Sequence, residues 1–138
     1  MTPTTAELLA GNMKVLSIPP PEESAGAYSG GMVGVTGMIS LLAAQEAEQG
    51  AAVRVEETTA IREVLEKLAK YASVPQLPVP ELSISALDAV NADARRALIS
   101  VHEQVEAAGD VDADQMILAL YRRMARLRRL ELPGMPGV

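Results

Sequence analysis

The chain has 138 residues, no cysteine, and a net charge of −6 from 12 basic and 18 acidic residues. Its length suits one domain with one core, and the absence of thiols excludes disulfide frameworks, thiolate metal sites and cysteine nucleophiles. Phe and Trp are missing although 49% of residues are hydrophobic, so the core is aliphatic, which favours closely packed helices over sandwiches or barrels.

The expected fold is therefore all-α and four-helix bundle-like, a single helical domain over 1–138. Its N-terminus lacks the basic-then-apolar order of a secretory signal, and the cytoplasm is the expected compartment. Thr4-Thr5-Ala6-Glu7 matches a capping box, in which hydroxyl and carboxylate satisfy each other's backbone N–H groups, and a short first helix over about 5–16 follows. Three successive prolines, Pro19 to Pro21, remove donors and stop it, making 18–22 a linker. A long second helix is expected over about 24–72, with Gly50 as a candidate break because glycine costs about 1 kcal/mol relative to alanine in a helix.

Ala25 to Gln45 carries no charge and has the length of a membrane span. It is rich in glycine and lacks basic and aromatic anchors at its ends, so a buried helix is the better reading. Gly30, Gly34 and Gly37 share one face, as residues that permit close helix approach do. Without a preceding strand or a lysine, "SGGMVG" is a poor phosphate loop. Further along, Ile39, Ala43, Glu46, Gly50, Arg54, Glu57, Ile61, Val64 and Leu68 form one drifting helical line. The charges in its middle must be paired if the line faces a core. The favoured reading is that the helix projects past the bundle there, leaving Arg54 and Glu57 as an exposed i,i+3 pair.

Prolines 75, 78 and 80 mark 73–82 as a connector. A third helix over about 84–108 carries the stripe Leu87, Asn91, Ala94, Leu98, Val101 and Val105, and Gly109 suits a left-handed cap. Asp110, Asp112 and Asp114 supply the N-cap and first-turn anions of a fourth helix over about 112–131, before a tail over 132–138. In this helix Ile117, Leu120, Tyr121, Met124 and Leu127 recur at helical spacing.

Metal chemistry finds little support in the sequence. A di-iron bundle needs Glu-x-x-His on two helices, but His102 is the sole histidine and Ile99 stands three residues before it. His-Glu-x-x-His fails at Glu106, and the acids from Asp110 onward lack the glycine and glutamate of a calcium loop. No metal and no cofactor is expected. One polar constellation remains, because Asp88, Asn91 and His102 share a sector of the third helix and, with Glu46 or Glu57, could line an acid–base pocket. The structural alternatives are a capping-box-like Ser85/Asp88 pair and a register-setting Asn91.

Arg122, Arg123, Arg126, Arg128 and Arg129 fall within one decapeptide; without them 7 basic residues face 18 acidic ones, a remainder of −11. An acidic chain with no aromatic interleaved among its arginines is not expected to bind nucleic acid. Arg122, Arg123, Arg126 and Arg129 are assigned to a protein partner or self-association, with an anionic ligand as the further option. The segments "TAELLAGN", "LLAAQEAEQGAAVRVEETTAIREVL", "SISALDAVNADARRALISVHEQVE" and "LYRRMARLRRLELPG" resemble an uncharacterised family of small bacterial all-helical proteins. More distantly, they resemble the small helical partners of aminoglycoside-phosphotransferase-like kinases and acyl-CoA dehydrogenases. That resemblance implies a non-catalytic accessory or small subunit supporting an enzyme of acyl-CoA metabolism. The alternative from the residues themselves is a small enzyme or ligand-binding bundle using Asn91, His102, Asp88 and a long-helix carboxylate.

Overall fold

A computed structural model describes residues 3–16, 25–71 and 81–131. The expected all-α, four-helix, bundle-like class is observed: α1 spans Thr5–Leu16, α2 Ala25–Lys67, α3 Ile84–Ala108 and α4 Val111–Leu127. The linker at 18–22, the connector through Pro80 and the tail from Leu132 lie outside the described residues. Contacts divide the chain into two compact units, one comprising Met1–Gln49 with Leu130–Val138 and the other Gly50–Arg129. Among the described residues, no helix is long and apolar enough to cross a membrane.

In the first unit the capping box forms as expected. The Thr4 hydroxyl accepts from the Glu7 N–H at 3.2 Å, while the Glu7 carboxylate accepts from the Thr4 N–H at 2.8 Å. Asn12 on α1 donates to the Ser40 hydroxyl on α2 at 3.2 Å. The Gln45 amide closes a two-way clamp on the Glu131 backbone, with bonds of 2.7 and 2.8 Å. Gly30, Gly34 and Gly37 are exposed, and a Cβ at any of them would meet open space among the described residues. Among the described residues, no helix packs on that face. Gly34→Ala should accordingly stabilise the unit by about 1 kcal/mol, because only the helical entropy of glycine is removed; a lower urea midpoint in the variant would mean that something packs on that face.

The second unit is a bundle of α2 from Gly50 onward, α3 and α4. Ile61 and Leu65 on α2, Leu98 and Val105 on α3, and Ile117 and Leu120 on α4 are all buried in one core. Each such side chain contributes about 1.5–3 kcal/mol on burial, which outweighs the helix cost of one glycine. Gly50 accordingly does not interrupt α2. The α3 stripe is buried as its spacing predicts, Asn91 included.

Ser83, not Ser85, caps α3, accepting from the Ala86 N–H at 3.3 Å. Gly109 adopts the left-handed conformation at φ 65°, and the next residue, Asp110, caps α4, accepting from the Ala113 N–H at 3.1 Å. Asp110 also receives the Lys70 ammonium at 2.8 Å and the Tyr71 hydroxyl at 2.6 Å, fastening the end of α2 to the α3–α4 turn. The Lys70 and Tyr71 hydrogen bonds, with that from Ala113, hold the Asp110 carboxyl far below the ordinary carboxylate range. A depressed folded value means that this stabilisation is present above the unfolded carboxylate value of about 4 and is lost as the pH falls below it. Asp110→Asn should therefore lower the urea midpoint at neutral pH and flatten its decline between about pH 5 and pH 2; an unchanged decline would put the acid sensitivity elsewhere.

Candidate functional site

The charged middle of α2 is buried, which overturns the expectation that the helix leaves the core there. Glu46 is 7%, Arg54 3% and Glu57 0% exposed. The reason lies on other helices, which bring a partner to each charge in the second unit. Arg54 donates to Asp88 on α3 at 2.6 Å and to the Gly50 carbonyl at 2.9 Å. Glu57 accepts from Arg95 Nε on α3 at 2.8 Å, with a second bond from Arg95 Nη2, and from Arg128 Nε at 2.5 Å. Asn91 extends the network, accepting from Arg128 Nη2 and donating to the Thr58 hydroxyl, both at 3.1 Å.

These contacts redistribute the sequence candidates. Asp88 neutralises Arg54, so it is neither a capping residue nor part of a pocket with His102. Asn91 belongs to the Glu57 network. His102 lies eleven residues further along α3, about 16 Å at 1.5 Å per residue, and has different neighbours. The arginine cluster divides as well. Arg122, Arg126 and Arg129 are exposed, Arg123 pairs with Glu56 at 3.1 Å, and Arg128 turns inward to Glu57. Arg95 and Arg128 were not separable from the exposed arginines by sequence, since each directly precedes an exposed arginine, Arg96 and Arg129.

His102 is the centre of a second constellation. Its Nε2 lies 2.9 Å from Asp114 Oδ1 on α4 and 3.7 Å from Glu106 Oε1, one turn along α3. Ligand atoms from the three residues all lie within 4.8 Å of one another. Local sequence explains the meeting: an i,i+4 pair shares a helix face, and the two-residue turn at Gly109-Asp110 returns the first turn of α4 beside it. Glu106 and Asp114, with Val105, Gly109 and Val111, also line an open cleft of about 300 Å³.

On the other side of the imidazole, Nδ1 lies 3.2 Å from the Tyr121 hydroxyl. Burial, reinforced by the negative charge of Glu106, pushes the Tyr121 phenol up, so it stays an intact O–H at neutral pH. With the ring proton on Nε2, the imidazole donates to Asp114 while the Tyr121 hydroxyl donates to Nδ1, and both contacts are satisfied. With the proton on Nδ1, the Nε2 lone pair faces the Asp114 carboxylate, an arrangement that requires a proton or a cation between them.

No family model, curated protein or solved structure matches the chain. The functional argument therefore rests on these side chains. Two ligands of a tetrahedral ion, each at about 2.1 Å, stand about 3.4 Å apart. The separations around Nε2, 2.9 and 3.7 Å, lie on either side of that value, while the full set of three atoms lies within 4.8 Å. The sequence reading set metal aside because His102 has no second histidine at di-iron or His-Glu-x-x-His spacing and the acids from Asp110 onward lack the calcium-loop pattern; it did not weigh His102 together with Glu106 and Asp114, which the α3–α4 turn brings near one another. His102-x-x-x-Glu106 was the available signal; Asp114 becomes visible only once the turn is known.

Proposed function

We propose that the protein is a ligand-binding helical bundle whose site is a divalent-cation centre formed by His102, Glu106 and Asp114. The observation that carries this reading is the convergence of three ligand atoms within 4.8 Å. One imidazole and two carboxylates suit a borderline first-row ion such as zinc or manganese. Three protein ligands leave coordination positions open, as in sites where the ion acts as a Lewis acid on a bound molecule, and the adjoining cleft gives that molecule access. Tyr121 serves as the outer partner that ligating histidines characteristically have.

Calorimetric titration of the full chain with zinc tests the proposal. One equivalent should bind, and at about a hundredfold excess over the dissociation constant the protein should gain about 2.7 kcal/mol of stability. Asp114→Asn should remove both effects. A thermal midpoint indifferent to zinc and manganese would end the reading.

A separate observation favours a role through protein contacts, the leading sequence expectation. Val33 is 69% exposed, and Leu9, Val35 and Leu41 are also exposed in the first unit, more apolar surface than a solvated helix needs. The partner class implied by the sequence resemblance is an enzyme of acyl-CoA metabolism; the simplest occupant is a second copy. Light scattering decides the latter, since a strict monomer at high concentration excludes self-association.

A further inference from the structure

The Glu57 network opens on one side into a second cleft, of about 430 Å³, with Arg95 and Arg128 at its polar end and Leu98, Ile99, Met124 and Ala125 along its walls. Its volume lies within the range of small-molecule sites. Among the described residues, two guanidinium groups meet a single carboxylate there, because Asn91 is neutral, so these groups together carry one surplus positive charge. Arg95 is 38% exposed at its side chain while Glu57 is fully buried, which places the surplus charge on the open side. Arg95 uses two of its five N–H donors on Glu57, and the planar guanidinium edge that remains matches a carboxylate.

We infer that this cleft binds an organic monocarboxylate with an apolar body, the carboxylate on Arg95 and the body against Leu98, Ile99 and Met124. A single surplus charge matches a monoanion better than a doubly charged phosphate monoester. The apolar walls distinguish the site from one for free inorganic anions. Tyr121 also lines the cleft, and its hydroxyl meets His102, so the ligand lies near the candidate cation centre without using its ligand atoms. The inference holds whether or not a metal binds.

The test uses octanoate, octanol, octyl phosphate and inorganic phosphate, each titrated without metal into the full chain labelled for amide NMR. Octanoate should saturate below about 1 mM and shift the amides around Leu98, Ile99 and Ala125. Octanol, which lacks the charge-assisted bonds, should bind at least ~10-fold more weakly, and inorganic phosphate should leave those amides unmoved. Ile99→Glu, a change at a half-exposed wall position (53% exposed) that removes no buried partner, should weaken octanoate ~10-fold or more and octanol much less. Equal affinity for octanoate and octanol overturns the inference. So does tighter binding of octyl phosphate, or saturable octanoate shifts confined to another surface.

Discussion

Glu57→Ala is expected to lower folding stability by about 3–5 kcal/mol, the cost of leaving buried charges without their counterpart. Arg95 and Arg128 both point at a carboxylate that has no solvent exposure, and Arg128 also holds Asn91. Removing Glu57 leaves the mostly buried Arg128 guanidinium, and Arg95 beside it, without their carboxylate. Urea denaturation at neutral pH reads the loss directly, and a change under about 1 kcal/mol would place Glu57 in water. A compensated replacement behaves differently. Glu57→Leu combined with Arg95→Met and Arg128→Met should recover most of the stability, because well-packed apolar residues often equal or exceed a buried ionic triad. The triple variant should also lose octanoate binding, since the surplus charge is gone.

His102→Ala should abolish zinc binding, while Tyr121→Phe should weaken it by about 10–100-fold, the range for an outer partner that orients a ligating histidine. The graded pair separates the two roles: the imidazole supplies the bond to the ion, and the phenol fixes which nitrogen faces it. Zinc affinity untouched by Tyr121→Phe would mean that the phenol does not orient the imidazole for the ion. Both variants are read by calorimetry on folded protein, with helical content checked by circular dichroism. His102 and Tyr121 are half-buried, so neither change opens a large void in the core.

The helices were legible in the chain because their determinants are local. The capping box at Thr4, the left-handed Gly109 and the N-cap Asp110 act within four residues of themselves. The apolar spacing in α3 and α4 follows from 3.6 residues per turn and requires no knowledge of what covers it. Even the line from Ile39 to Leu68 was visible as one face of α2, although the sequence argument then turned its charged middle outward.

Only tertiary structure decided where those charges lie, because the stability of a buried carboxylate depends on cations that arrive from other helices. Arg95 is 38 residues from Glu57 and Arg128 is 71, and no spacing rule links them. The same holds for the candidate cation centre. His102 and Glu106 form a pair that a helix dictates, but Asp114 joins them through the Gly109-Asp110 turn, whose direction is set by the packing of α3 against α4. Asn91, Asp88 and His102 looked like one site because they share a helix sector. Position along the helix axis separates them, and a projection around that axis does not record it. Composition and periodicity thus determined that this protein is helical and which faces are apolar. Which charges meet, and so where the candidate sites lie, depended on distances between helices that a one-dimensional pattern does not contain.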